Sequence, residues 1–320
     1  MATLAHDSHS SKAGARTASG LGFALTSAAA FGLSGALARP LLEAGWSAGA
    51  VVLIRIALGA AIVVPFGLRA LRGRWGLIRA NAGLIIFYGV LAVAGAQFCY
   101  FSAVQYMQVG PAILIEFTAP AAVVVWLWLV HGHRPGPVTL VGAALAALGL
   151  VLVLDLISGA DLSLPGVLWA LGAMVGATSY FLISADEDNG LPPLTLAACG
   201  LVVGGLALGL LGLVGLLEMR ATDDSVAYAG TTVAWWVPMI LLGLVTAALA
   251  YTAGIAAIRR LGSRLASFVA LNEVLASVLW AWLLLDELPR TVQLVGGLLI
   301  LLGVVGVKLG EREMPVGPTT

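Results

Sequence analysis

Four ionisable or strongly polar side chains, Arg55, Gln97, Glu116 and Glu273, stand inside stretches that are otherwise apolar, and Asn272 adjoins the last of them. Glu116 and Pro120 interrupt an otherwise apolar run from Gly110 to Val130, which is long enough to cross a bilayer. An ionisable group at that depth is expensive unless it faces a protein interior or a water-filled path. A guanidinium, a carboxylate and an amide together suit a zwitterion. Arg55 can grip a carboxylate bidentately, Glu116 can accept an ammonium, and Gln97 adds a polar contact. The alternative is structural: Arg55 and Glu116 neutralise each other as an ion pair, or Arg55 snorkels outward. Glu273 lies near the middle of its run, where a carboxylate that takes up and releases a proton is the candidate for proton coupling, with Asn272 beside it. A buried, hydrogen-bonded Glu is the alternative there. Tyr88, Tyr251 and Trp280 are candidate substrate-lining residues, although aromatics in such runs more often pack or anchor at the interface.

The elements that position these residues are bounded by composition. The chain has 320 residues, 60% of them hydrophobic and 10% charged, with a mean hydropathy of +1.03. A soluble domain carries about 25% charged residues, so no soluble core accounts for this sequence. The net charge is zero and the basic residues are scattered, which excludes a stripe for nucleic acid. Cys99 and Cys199 have no metal-ligand spacing and read as small packing residues. His131 and His133 are a weak metal signal, better read as loop residues. No nucleotide-binding Gly-rich loop, His-Glu-x-x-His or Gly-x-Ser-x-Gly is present, so neither an enzyme nor a cofactor is expected.

Residues 1–19 are polar and small, and predict a disordered tail. The apolar run from Gly20 to Ala38 ends in Ala36-Leu37-Ala38, which imitates a signal-peptide cleavage site, but its length and the many later runs favour a retained first helix. Further runs lie at 47–68, 82–103, 110–130, 137–156, 165–185, 193–217, 235–258, 265–285 and 291–309, giving an all-α integral membrane protein of ten spans. Most connections are short, and only 218–234 is a longer loop. With the N-terminus inside, twelve of the sixteen Lys and Arg lie in inner segments, three lie in outer segments and Arg55 lies within a span, so both termini are expected to be cytoplasmic. On this topology Arg55 and Glu116 sit near 12 and 9 Å from the outer ends of two parallel spans, at about 1.5 Å per residue. Their depths match well enough to pair.

Sliding the chain by 154 residues lays Trp126-Leu127-Trp128-Leu129 on Trp280-Ala281-Trp282-Leu283, Pro135 on Pro289 and Gly142 on Gly296. This predicts a duplication. Each copy holds five spans, and an odd number forces the second copy to enter from the opposite side. Inverted repeats of this kind let two bundles rock around a central site, the logic of a secondary transporter.

Leu53-Ile54-Arg55-Ile56-Ala57-Leu58-Gly59 and Leu283-Leu284-Leu285-Asp286-Glu287-Leu288-Pro289, set in ten spans, resemble the EamA domains of the drug/metabolite transporter superfamily. The resemblance covers about residues 20–309, with repeats at 20–156 and 165–309 and a second cytoplasmic tail at 310–320. Phe87-Tyr88-Gly89-Val90 and Glu116-Phe117-Thr118-Ala119-Pro120 are similar to segments of the threonine/homoserine exporters, which implies amino-acid efflux across the inner membrane. Those exporters usually have Glu-Pro in the ninth helix, whereas this chain has Glu273-Val274, so a proline kink does not carry over. The tenth run has only Lys308, at its inner end, which argues against a phosphorylated substrate. The expected partners are a small-molecule substrate and the lipid bilayer, and the chain acts as a monomer or homodimer. Export of drugs or hydrophobic cations by the same fold is the competing function, and a non-transporting membrane scaffold is the third.

Overall fold

In a computed structural model the chain is described at residues 2–119, 122, 128–129, 135–153, 163–185 and 189–310. His131, His133, Arg134, the acidic loop residues 186–188 and all but the first residue of the expected tail at 310–320 lie outside them. Apolar sequence folds here as helices because a backbone removed from water must satisfy its N–H and C=O groups internally.

Among the described residues, besides the short helix Gly76–Ala80, ten helical segments follow the order of the apolar runs: α1 (Ala2–Glu43), α2 (Ala48–Leu71), α3 (Ala82–Tyr106), α4 (Val109–Glu116), α5 (Pro137–Val153), α6 (Leu164–Ala185), α7 (Pro193–Leu213), α8, α9 (Asn272–Leu285) and α10 (Thr291–Gly310). Helix α8 runs continuously through Trp236–Gly243, Leu244–Leu249 and Ala250–Ala270. Among the described residues, five helices are long and apolar enough to cross a membrane: Thr17–Glu43, Ala48–Leu71, Ala82–Tyr106, Pro193–Leu213 and Trp236–Ala257. Four further apolar helices, Pro137–Val153, Leu164–Tyr180, Asn272–Leu285 and Thr291–Val307, are shorter.

Two segments differ from expectation. Residues 1–19, expected as a disordered tail, are helical from Ala2. Ala, Leu, Lys and Arg favour a helix, and extending one that is already nucleated costs far less than starting one. The loop 218–234 contains an antiparallel hairpin, β1 (Val226–Tyr228) and β2 (Thr231–Val233), with Gly230 at φ +72° in its turn. The Tyr228 hydroxyl donates to the Leu37 carbonyl and the Ala229 N–H donates to the Leu284 carbonyl, so the hairpin ties the ends of α1 and α9 together.

Two helices depart from α geometry at related places. Helix α3 is a π-helix over Tyr88–Gly95 and α8 is one over Leu244–Leu249. Moved by 154 residues, the first π segment falls on 242–249 and overlaps the second. The i→i+5 pattern inserts a residue into the turn and re-aims the side chains beyond it, a device frequent at functional sites.

Helices α5 and α10 pack along their glycines. Gly142 lies against Gly303 and Val307, and Gly149 lies against Gly296 and Ile300, so the two helices are antiparallel. A Cβ on Gly149 would stand 2.8 Å from the Ile300 nitrogen. Gly149→Leu is therefore expected to lower thermal stability in detergent by about 1–3 kcal/mol or to prevent folding, as overpacking does. The matching change at Gly209 on α7, where a Cβ meets nothing within 4 Å, leaves the melting temperature unchanged. Equal effects at the two positions would refute this close contact.

Candidate functional site

Arg55 projects from the second turn of α2 and is only 4% exposed. Its Nε donates to Thr246 Oγ1 at 3.0 Å, one terminal nitrogen donates to Gln97 Oε1 at 2.8 Å and the other to the Thr246 carbonyl at 3.0 Å. The Thr246 hydroxyl in turn donates to the Leu242 carbonyl at 2.8 Å, which turns an oxygen lone pair toward Arg55. Thr246 belongs to the π segment of α8, and it is at this interruption of the α ladder that its carbonyl reaches the guanidinium. Phe101 of α3 lies beneath, with its ring centroid 5.4 Å from Arg55 Cζ. These contacts use three of the five guanidinium N–H groups and fix the plane of the remaining two.

Glu116, at the end of α4, and Glu273, in the first turn of α9, are both within electrostatic reach of Arg55, as are Tyr100 and Tyr251. The position of Glu273 differs from the expected middle of a 265–285 span, because α8 runs on to Ala270 and the chain turns at Leu271 before α9 begins. Neither carboxylate is within ion-pair distance of the guanidinium among the described residues. The direct Arg55–Glu116 pair is therefore not formed. Gln97 and the Thr246 carbonyl occupy the nearer donors instead. As whole residues Glu116, Glu273 and Gln97 are half-buried, whereas Arg55 is enclosed.

Two further groups complete the cluster. Tyr100 of α3 is 4% exposed and Ser277 of α9, one turn beyond Glu273, is fully enclosed. The Tyr100 hydroxyl faces Ser277, close enough to interact with it. Glycines on α1 make the room: Gly35 lies against the Tyr100 hydroxyl, and Gly32 lies against the Glu273 carbonyl and the Ser277 nitrogen. A Cβ at Gly32 would come within 2.8 Å of either backbone atom.

The structure thus gathers Arg55, Gln97, Glu116, Glu273 and Tyr251 and leaves other expected residues at the margin. Asn272 turns its amide back to the Val269 carbonyl at 2.8 Å. Tyr88 is buried against Gly200 of α7, with its ring 6.1 Å from that of Tyr180. Tyr251 stacks edge-on against Phe31 of α1 at 5.1 Å. Trp280 donates its indole N–H to the Ala29 carbonyl at 3.0 Å and anchors α9 on α1. Trp280→Phe is accordingly expected to cost about 0.5–1.5 kcal/mol of stability, the net worth of one hydrogen bond, with substrate selectivity unaltered. A changed selectivity profile at unchanged stability would instead make Trp280 a lining residue.

Thr246 and Ser277 are not among the residues that sequence reasoning singles out. Their signals are weak: Thr246 shares its apolar run with Thr252, and Ser277 shares its run with Ser267, with only its position one turn from Glu273 to mark it.

A separate set of polar contacts joins the end of α1, the start of α4 and the segment after α9. Arg39 near the end of α1 pairs with Glu287 at 2.6 Å and with Glu43 at 2.9 Å, and donates to the Met107 carbonyl at 3.1 Å. Glu287 also accepts the Val109 N–H at 3.1 Å, one of the donors that the start of α4 cannot satisfy within its own helix. Burial pushes the Glu287 carboxyl up from its ordinary range, against the opposing pull of Arg39 and the Val109 N–H.

The EamA-like transporter family matches residues 18–155 and again 164–309. Over 272 residues the chain is 29% identical to the threonine/homoserine exporter RhtA of Escherichia coli (strain K12), with 82% of each chain covered. Identity to the protein of the same name from Salmonella typhimurium (strain LT2) is 32% over 155 residues, and there the chain spans about half the relative's length, 48%. A protein of known crystal structure superposes with a TM-score of 0.61 at 18% identity, covering 94% of this chain and 100% of the other, a likeness of fold.

Proposed function

The chain belongs to the EamA-like transporter family, and from that premise we propose that it is a secondary-active exporter of amino acids or related small zwitterions. In this reading ten spans form two inverted five-helix halves in the inner membrane, with both termini cytoplasmic, and work by alternating access. The antiparallel α5–α10 contact and the paired π segments support the inverted halves. Relatives that carry the threonine/homoserine exporter name support the cargo class.

The observation that carries the proposal is the charge balance around Arg55. One guanidinium, with three of its five N–H groups engaged among the described residues, lies within electrostatic reach of two carboxylates. A zwitterion uses this set fully: its carboxylate takes the free edge of Arg55 and its ammonium takes Glu116. The second carboxylate, Glu273, remains to carry a proton. The surplus of negative charge also favours one competing reading, in which Arg55 only offsets one carboxylate and a hydrophobic cation binds the other.

The deciding experiment is efflux from proteoliposomes loaded with a labelled amino-acid panel, with a pH gradient imposed or absent, beside a panel of lipophilic cations. Efflux of an amino acid that responds to the gradient supports the proposal. Efflux of cations alone overturns the cargo, and efflux of nothing by folded protein favours a scaffold.

A further inference from the structure

A concave groove of about 540 Å³, within the size range of ligand sites, runs between α2, the start of α7 and α8. Ile62 and Phe66 of α2, Leu194 of α7, and Leu244, Leu249 and Ile255 of α8 form its apolar wall. Phe66, Leu244 and Leu249 are each more than two-fifths exposed, so the groove opens away from the bundle. The hydroxyl in its lining, on Thr252, donates to the Ala248 and Leu249 carbonyls of its own helix at 2.8 and 3.1 Å. Charge enters at one end. Arg260 lies just beyond the apolar span Trp236–Ala257, donates to the Ala256 carbonyl at 3.1 Å and sits 4.5 Å from the ring centroid of Phe23 of α1. Arg69, in the last turn of α2, holds its Cζ 6.0 Å from the ring centroid of Phe66. Both arginines are exposed. From Leu244 to Ala256 the helix rises about 18 Å at about 1.5 Å per residue, close to half of the roughly 30 Å hydrocarbon core. The groove therefore has the depth of one leaflet and a pair of guanidiniums at the level of that leaflet's phosphates.

We propose that this groove is a binding site for an anionic phospholipid, with one acyl chain laid along α2 and α8 and the headgroup held by Arg260 and Arg69. An apolar wall that ends in two cations is complementary to an amphiphile whose charge is negative. The same cations repel a lipophilic cation, and a small polar solute finds no partner along the wall. Leu244, Ala248 and Leu249 belong to the π segment that carries Thr246, so the lipid packs against the element that holds Arg55. In the topology proposed above the leaflet is the cytoplasmic one. The inference needs the membrane spans and not the cargo, so its test and that of the exporter reading fail separately.

The test is native mass spectrometry of the whole chain in detergent, titrated with phosphatidylglycerol or with phosphatidylcholine of the same acyl chains. The two lipids share a phosphate and differ in net charge. The parent is expected to bind phosphatidylglycerol about tenfold more tightly than phosphatidylcholine. Arg260→Gln and Arg69→Gln should each lower that preference about fivefold. Arg79→Gln, on the short helix Gly76–Ala80 and outside the lining, should leave it unchanged. Ala256→Trp, which fills the groove, should weaken binding of both lipids at an unchanged melting temperature. If Arg260→Gln fails to fold, Arg69→Gln carries the charge test and Ala256→Trp the groove test. Equal binding of the two lipids by the parent overturns the inference, because the groove then takes acyl chains whatever their headgroup. An equal loss in the Arg79 variant also overturns it, since the basic residues then act as a general surface field. Binding that Ala256→Trp leaves untouched places the lipid elsewhere and overturns it too.

Discussion

Arg55→Gln is expected to reduce substrate efflux by about a hundredfold or more, because in the proposed zwitterion site it removes the charge that orients the substrate carboxylate and leaves the carboxylates uncompensated. Loss of one partner from a buried charge set costs about 3–5 kcal/mol, and each 1.4 kcal/mol is about tenfold in rate or affinity. Arg55→Lys separates charge from geometry. An ammonium on a flexible stem cannot reach Thr246 Oγ1, the Thr246 carbonyl and Gln97 Oε1 from one plane while it also grips a carboxylate, so this variant should fail nearly as badly. Efflux rates read beside melting temperatures check both variants. An Arg55→Lys protein with parental activity would sink the bidentate role and leave only a need for positive charge.

The second large effect is a division of labour between the carboxylates. Glu116→Gln should abolish both substrate exchange and gradient-driven efflux, because it removes the proposed ammonium partner. Glu273→Gln should abolish the response to an imposed pH gradient and leave exchange of internal for external substrate running. The asymmetry comes from position. Glu116 ends α4, whose first N–H is latched to Glu287, whereas Glu273 begins α9, whose backbone packs on Gly32 of the first helix. Exchange and gradient-driven efflux measured on the same vesicles test the split. If the two variants behave identically, the carboxylates form one functional unit and the separate coupling role is wrong.

Much of the candidate cluster is legible in the sequence because polar residues in apolar runs are few and costly. Arg55, Gln97, Glu116 and Glu273 stand out in apolar runs, and the structure brings them to one place. Their connections are less legible. Depth along two parallel spans predicts an Arg55–Glu116 pair, yet the donors of Arg55 go to Gln97 and Thr246. The reason is a shift in backbone hydrogen bonding within α8, which residue types alone do not announce. The aromatic candidates resist sorting for another reason: Tyr88, Tyr251 and Trp280 are identical in kind to packing residues, and only contacts such as the Trp280–Ala29 hydrogen bond separate the roles. The hairpin at 226–233 is hidden by its brevity, although Val-Ala-Tyr before Gly230 and Thr-Thr-Val after it carry a strand composition.

The contact between α5 and α10 joins positions that exchange places under the 154-residue offset. Gly142 corresponds to Gly296 and meets Gly303, while Gly149 corresponds to Gly303 and meets Gly296. Such a contact is isologous: one surface, used twice, is its own complement. In the proposed arrangement of two inverted halves, a unit bearing these two glycines presents one surface that meets the same surface of a second copy. Joining the copies in one chain fixes that pairing and frees each half to diverge elsewhere, as at Arg55, whose related place in α7 is held by Gly209.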